Sequence, residues 1–230
     1  MDIELSDFLS YNVFGSDYSL PFGSEKVGTK ESILVYSTVL FAMHGYTGVS
    51  MKDIAAKIGI QAASLYNHFP SKESLWEAVV EHTVGLYRLY HDSLNEQLLA
   101  ATSLEQVLDL IFVEPERMTN NFTCFAFSLI QFEQLHDEKT WQVYNEVFLE
   151  YPASIYIRSF ERCIKLGYVR DFDVTAVSHA ILCFILQQVN IYTQKLMGRT
   201  VSHDPLELIA RYHKALLQLL LPDSAAAEAE

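Results

Sequence analysis

Residues 45–76 read GYTGVSMKDIAAKIGIQAASLYNHFPSKESLW, and this stretch decides the fold of the chain. It predicts one short helix over Met51–Ile58 and a second over Gln61–His68. Gly59 interrupts the chain between them, and Pro70 closes the second helix. Two short helices joined by a tight turn are typical of a helix-turn-helix, whose second helix lies in the major groove of DNA.

The residue types within these two helices fit the same interpretation. Ser50, with Asp53 three residues later, has the spacing of a capping box at the start of the first helix. Apolar side chains occupy the positions predicted to face inward: Ile54, Ala55, Ile58, Leu65 and Phe69. Small or polar side chains occupy the outward positions of the second helix: Gln61, Ala62, Ala63, Ser64, Asn67 and His68.

This stretch resembles the DNA-binding region of the tetracycline-repressor (TetR) family of bacterial regulators. The residues at family spacing are Asp53-Ile54-Ala55, Leu65-Tyr66, Phe69 and Lys72-Glu73, preceded by Ile33, Leu34, Leu40 and Phe41 in a first helix. Elsewhere the match is limited to helix order and length, and to residues 167–171 ahead of an apolar helix. The resemblance implies an all-α fold with an N-terminal three-helix DNA-binding head and a larger helical body.

The resemblance also implies a homodimer that inserts one reading helix per subunit into a palindromic DNA operator. Tyr66 and Lys72 would then contact phosphates, Lys72 from the N-terminal end of its helix, where backbone N–H groups also favour anions. Ser50 would cap its helix and touch a phosphate. Base-edge and neighbouring contacts would fall to Gln61, Ala63, Ser64 and Asn67, flanked by Ala62 and His68.

Several positions depart from the family pattern. Many members carry Ser or Thr where this chain has Gln61, and Lys-Gly where it has Ala62-Ala63. The usual cap of the reading helix is therefore missing, and one common positive charge is lost. Tyr36 stands where the family often has a small residue. The operator sequence consequently cannot be transferred from a relative.

The overall charge bears on how DNA could be bound. The 230-residue chain is 50% apolar and 13% aromatic, with a formal net charge of -13, which is typical of an acidic globular protein. That charge disfavours indiscriminate binding to nucleic acid or to anionic membranes. Five lysines and four carboxylates between Ser24 and Leu75 give the predicted head a charge of +1, so a DNA-binding patch has to be local.

The rest of the chain predicts a series of helices. A first helix is predicted over 29–44, and a long one from Ser71 to about Ala101. Further helices are predicted over 103–117, 120–136, 138–166, 173–197 and 204–221. Pro152 should kink or divide the 138–166 segment. The predicted domains are an acidic, aromatic extension (1–27), the DNA-binding domain (28–75, motif about 50–69), an effector-binding and dimerisation domain (76–221) and a tail (222–230).

Aromatic residues are concentrated in the predicted body. Most are expected to be core, but aromatic walls with a few polar anchors are also typical of small-molecule sites. An effector pocket for an unknown apolar or aromatic molecule is therefore predicted to involve Tyr87, Tyr90, Phe112, Phe125, Gln131, Trp141, Tyr144, Phe148 and Gln187.

The last two helices are apolar enough to require a partner surface. The resemblance favours a four-helix interface between two subunits, and packing within one chain is the alternative. The predicted interface residues are Ile181, Ile185, Gln188, Tyr192, Leu208, Tyr212, Leu216 and Leu219.

Other classes of function find less support. No Gly-rich phosphate loop, GxSxG elbow or HExxH motif occurs, so we predict neither a catalytic residue nor a cofactor. His179 and Cys183 share a helix face without further ligands, so no metal site is predicted. Three separated cysteines and the absence of a signal peptide or membrane span indicate a cytoplasmic protein without a membrane partner. An all-α enzyme, or an interaction module using the N-terminal aromatics, remains the alternative.

Overall fold

The computed structural model describes residues 30–112 and 121–222, and every regular element within these ranges is helical. In chain order the elements are α1 (Lys30–His44), α2 (Met51–Ile58), α3 (Ala62–His68), α4 (Lys72–Ala100), α5 (Leu104–Phe112), α6 (Asn121–Glu133), α7 (Glu138–Tyr144), a π-helix (Asn145–Glu150), α8 (Tyr151–Lys165), α9 (Val174–Leu196) and α10 (Pro205–Leu220). The predicted 1–27 extension lies outside the described residues, as do residues 223–230 and the end of the predicted 103–117 helix. The all-α fold class is confirmed.

Pro152, which the sequence predicts to kink or divide the 138–166 segment, is preceded by a change from α-helix to π-helix. In a continuous α-helix, Pro152 could not donate to the carbonyl of Phe148, and its ring would clash with that carbonyl. The chain instead forms the wider π-helix over Asn145–Glu150 and restarts as α8 at Tyr151. Pro152 then lies in the first turn of α8, where a backbone N–H has no partner within the helix.

The chain divides into two compact units. We call residues 30–87 with 121–144 the head unit, and residues 88–112 with 145–222 the body unit. The predicted domain boundary after residue 75 falls inside α4. The boundary between the two compact units lies further along the same helix, between Tyr87 and Arg88. Helices α6 and α7 therefore belong with the helix-turn-helix in the head unit.

The head unit has an apolar cluster beneath the helix-turn-helix. Helix α1 packs against both α2 and α6. The cluster consists of Ile33, Leu34, Phe41, Val49, Met51, Ile54, Ala55, Ile58, Leu65, Phe69, Leu75, Val79 and Leu129. Tyr87 Oη donates to the Thr123 carbonyl at 2.9 Å and so links α4 to α6.

The body unit is built by successive helix packing. Helix α8 packs on α9, α9 on α10, and α10 on α5. Asp173 caps α9 by accepting from the Ala176 N–H at 2.9 Å, and Asp204 caps α10 by accepting from the Leu206 N–H at 2.9 Å. By length and composition alone α9 could cross a membrane, but a core helix of a soluble protein passes the same test. Its packing against two other helices favours the second explanation.

Candidate DNA-binding interface

Helix α2 is fixed at both ends by local hydrogen bonds. At the N-terminus, the Asp53 N–H donates to Ser50 Oγ at 3.2 Å, and the Ser50 N–H donates to Asp53 Oδ2 at 2.8 Å, which completes the predicted capping box. Hydrogen bonds from the Ser50 side chain, and then from its backbone, lower the pKa of Asp53. At the C-terminus, Gly59 adopts φ 78°, a left-handed conformation in which a larger side chain would be strained.

The reading helix α3 is anchored by two apolar side chains and exposed elsewhere. Leu65 is 0% exposed and Phe69 is 3% exposed, so both belong to the core of the head unit. Gln61 is the N-cap residue in an extended conformation, and its side chain makes no capping hydrogen bond, as the sequence predicted. Lys72 on α4 is partly buried, as is Ala62, but the other predicted DNA-contacting positions of α3 are exposed: Gln61, Ala63, Ser64, Tyr66, Asn67 and His68.

Lys72 lies in the first turn of α4 and rests on an aromatic surface. Its Nζ is 4.2 Å from the centroid of the Tyr46 ring and 5.9 Å from that of Phe41. Ser71 and Ser74 cap the helix reciprocally, each backbone N–H donating to the other hydroxyl at 3.1 Å. The ammonium is therefore held beside a helix N-terminus, where positive charge and backbone dipole together favour a phosphate.

Tyr46 connects this surface to α6. Its backbone N–H donates to Glu133 Oε1 at 2.9 Å, and its ring packs 5.3 Å from Trp76. Burial, followed by the carboxylates of Glu73 and Glu133, raises the pKa of Tyr46. Sequence reasoning did not assign a role to Tyr46 or Glu133, because no local pattern links positions 87 residues apart.

The turn that contains Tyr46 depends on a glycine at position 48. A Cβ built on Gly48 would lie 2.3 Å from the His44 carbonyl oxygen, a distance that real side chains do not show. Its N–H donates to the Gly45 carbonyl at 3.2 Å. The turn therefore brings the chain from α1 to the Ser50 cap in a conformation that leaves no room for a larger residue.

The same region of the chain matches a known family of regulators. A family model described as "Bacterial regulatory proteins, tetR family" matches residues 33–79, which run from α1 into α4. Residues 33–79 are a TetR-type DNA-binding domain. The TetR-family regulator PfmR from Thermus thermophilus shares the fold at a TM-score of 0.62 and 19% identity, over 81% of this chain and 97% of that structure.

Two relatives and one further structure resemble the chain over different lengths. The nucleoid occlusion factor SlmA of Photobacterium profundum is 28% identical over 75% of this chain and 87% of its own length. The negative regulator IcaR of the Staphylococcus aureus biofilm operon is 42% identical, but only over 23% of this chain and 28% of its own length. A regulator from Saccharomonospora viridis, solved with choline, has a TM-score of 0.66 at 19% identity, covering 84% of this chain and 97% of that one. The chain is thus a DNA-binding transcriptional regulator.

The predicted effector-pocket residues divide between the two units. The head unit contains Tyr87, Phe125, Gln131, Trp141 and Tyr144, and the body unit contains Tyr90, Phe112, Phe148 and Gln187. Most of the aromatics are buried, but Trp141 is 41% exposed. Gln187 is exposed on α9 beside the buried Gln188, so it does not line the interior of its unit. Gln187 lies at an exposed position, and the whole set stays a prediction.

The residues of the predicted dimer interface differ in burial. Four of the eight are buried within the chain itself: Ile181, Ile185, Gln188 and Leu216. Tyr192, Leu208 and Tyr212 are partly buried, and Leu219 is 57% exposed. The interface stays a prediction, and its exposed surface lies at these last four residues.

Proposed function

We propose that this TetR-family protein is a cytoplasmic repressor that binds a palindromic operator in double-stranded DNA as a homodimer. One observation carries the proposal: α3 presents exposed small and polar side chains while Leu65 and Phe69 anchor it in the core. A helix held this way can enter the major groove without disturbing its own packing. We assign the protein no catalytic role and no cofactor.

Each predicted DNA contact has a role in this proposal. Gln61 and Asn67 pair with base edges, since amide side chains can bond adenine in two places. Ala63 and Ser64 let the helix approach closely. Tyr66 and Lys72 bind phosphates, and Ser50 adds a phosphate contact at the capped end of α2. Ala62 and His68 flank this surface.

The proposed dimer interface uses the outer faces of α9 and α10. Exposed small and apolar residues support it: Ala180 and Cys183 on α9, Ala215 and Leu219 on α10. Together with Tyr192, Leu208 and Tyr212 they give an apolar stripe that a second copy can cover by two-fold symmetry. Leu219→Glu should yield a monomer in light scattering, whereas Leu99→Glu, at a comparably exposed leucine on α4, should leave the dimer intact.

We also infer that a small-molecule effector controls DNA binding through the helices beyond α3. The Saccharomonospora viridis relative was solved with choline, which supports effector binding in this fold. The predicted effector for this chain is apolar or aromatic. A thermal-shift screen of apolar and aromatic compounds tests this, because a ligand that binds only the folded state raises the melting temperature.

The direct test of the proposal is selection from a randomised duplex library, followed by fluorescence anisotropy at physiological salt. We expect enrichment of a palindrome. Failure to enrich any sequence with folded, dimeric protein would contradict the proposal.

The SlmA match, which extends over 75% of this chain, favours a second candidate function in nucleoid occlusion. Genome-wide mapping of bound sites separates the two functions. A repressor should occupy a few promoters, whereas a nucleoid occlusion factor should occupy many sites spread along the chromosome.

A further inference from the structure

The body unit contains an open groove where the π-helix faces the middle of α4. Its volume is about 500 Å³, within the range of small-molecule sites. The lining residues are Arg88 and Asp92 from α4, Glu146, Val147 and Glu150 from the π-helix, and Tyr151 and Ser154 from α8. We call this the acidic groove. It is distinct from the predicted aromatic pocket, with which it shares no residue.

The charges that line the acidic groove are unbalanced. Three carboxylates and the Arg88 guanidinium line it, and the Arg158 guanidinium beside it donates to Ser154 Oγ at 3.1 Å, which leaves an excess of one negative charge. Arg88 Nη2 donates to Glu146 Oε1 at 2.5 Å, and this pair is exposed, with 53% and 63% of the two side chains accessible. Water screens such a pair, so a ligand can displace it at small cost.

The other two carboxylates are held in place by neutral donors. Asp92 accepts from the Tyr151 hydroxyl, and Glu150 accepts from Asn145 Nδ2 at 2.7 Å. These bonds orient both carboxylates. Each carboxylate has further lone pairs for an incoming hydrogen-bond donor.

The π-helix gives the acidic groove its wall. Segments of π-helix are rare and often lie at functional sites, because the wider turn alters where side chains project. Here Asn145–Glu150 contributes two carboxylates and the buried Val147 to one side of the groove. The side chains that this wall exposes to the groove are therefore the two carboxylates.

The lining also indicates what kind of cation the groove fits. Within residues 30–112 and 121–222, no three His, Cys, Asp or Glu side chains are arranged to hold a metal ion. The partly buried Tyr151 ring instead offers a contact for methylene groups, and an aromatic face attracts an ammonium. We propose that the acidic groove binds a small organic cation of the diamine or polyamine class, with ammonium groups on Glu146 and Glu150.

Arg88 competes with the ligand in this arrangement. An ammonium that binds Glu146 has to replace the guanidinium, whereas Glu150 and Asp92 are open to it. Removal of the Arg88 charge should therefore strengthen binding. A residue with a merely structural role would not produce that gain, so this variant distinguishes a binding site from a packing defect.

The test is isothermal titration of the full chain with 1,4-diaminobutane and spermidine, with 1,4-butanediol as the neutral control of matched shape. We expect saturable binding of the amines and none of the diol. Glu146→Gln and Glu150→Gln should each weaken binding about tenfold, and Arg88→Gln should tighten it several-fold. Glu161→Gln, which changes an exposed carboxylate of α8 outside the groove, should bind like the wild type.

Several outcomes would overturn the proposal. These are absence of saturable amine binding at millimolar concentration, equal binding of 1,4-butanediol, and amine affinity that Glu146→Gln and Glu150→Gln leave unchanged. Binding of Mg²⁺ without the amines would assign the groove to a metal ion instead. Circular dichroism and melting temperature confirm that each variant is folded, and all the substituted carboxylates are exposed.

Discussion

The backbone N–H of Tyr46 donates to the carboxylate of Glu133 at 2.9 Å, although 87 residues separate them in the chain. The bond ties the turn between α1 and α2 to the last residue of α6. That turn leads directly to the Ser50 cap, and Tyr46 also supports the ammonium of Lys72. Ser50 and Lys72 are both predicted phosphate contacts, and their positions therefore depend on this contact with α6.

Loss of the Glu133 carboxylate should weaken both the fold and the DNA contacts. Glu133→Ala leaves the partly buried Tyr46 N–H without its acceptor, so we expect about 1 kcal/mol less stability and reduced operator affinity. Glu133→Gln keeps a side-chain oxygen as acceptor, so this variant should retain most of the stability and most of the operator affinity. Urea unfolding and anisotropy measure the two effects, with the exposed Glu138→Ala as control. Equal behaviour of Glu133→Ala and Glu138→Ala would refute the role of this bond.

A serine at position 61 should stabilise the reading helix. Gln61 occupies the N-cap of α3 without a side-chain hydrogen bond. Gln61→Ser supplies a hydroxyl acceptor for an unpaired helix N–H, which is worth about 1 kcal/mol. Operator affinity should nevertheless fall, because the predicted base contact of Gln61 is lost. Gln61→Ala, which adds no capping group, should lose operator affinity without gaining stability. An equal gain in stability in Gln61→Ser and Gln61→Ala would contradict a capping role for the serine.

Lys72 should contribute to DNA affinity mainly through its charge. Lys72→Met removes one phosphate contact per subunit and should lower the slope of log affinity against log salt by about one per subunit. Lys72→Arg should keep the slope. The matched control is Lys165→Met, at an exposed lysine near the end of α8. A slope that Lys72→Met leaves unchanged would place this ammonium away from the phosphates.

His91 should make stability depend on pH. Burial lowers the pKa of His91 from 6.5 to about 4, against the opposing effect of Asp92. Between these values only the unfolded chain binds the proton, so the free energy of unfolding falls as pH drops from about 6.5 to 4, by on the order of 3 kcal/mol. Burial lowers the pKa of His82 as well, which adds to the same trend.

Urea unfolding between pH 4 and pH 7 measures this dependence. His91→Phe, which can keep the edge contact with the Tyr151 ring at 5.9 Å, should flatten the curve. His136→Asn, at an exposed position, should leave the curve as in the wild type. A wild-type stability that stays constant over this range would contradict the burial of a neutral imidazole.

The helix bounds could be predicted where the local sequence controls them. Ser50 and Gly59 mark the two ends of α2, and the sequence placed that helix at Met51–Ile58 as found. Pro152 indicated a local irregularity in the 138–166 segment, because proline disfavours a regular α-helix over the preceding turn. That this irregularity is a π-helix could not be predicted, since the form it takes depends on packing around residues 145–150.

The site could be predicted only in part for a similar reason. Exposure of the outward residues of α3 follows from helical periodicity, which the sequence carries. The burial of Ile181 and Gln188 depends on which face of an apolar helix packs within the chain, and α9 is apolar on more than one face. The Tyr46–Glu133 bond and the acidic groove join residues far apart in sequence, which no local pattern records.

The most direct test of DNA reading by α3 is the affinity of Ala63→Glu for the selected duplex. Ala63 is exposed, and a carboxylate in the first turn of α3 suits the helix, so the melting temperature should not fall. In the major groove that carboxylate would face phosphates and base acceptors. We therefore expect the affinity for the duplex to fall about a hundredfold. Ala100→Glu, at an exposed alanine ending α4, should bind like the wild type. Undiminished binding by Ala63→Glu would contradict the account.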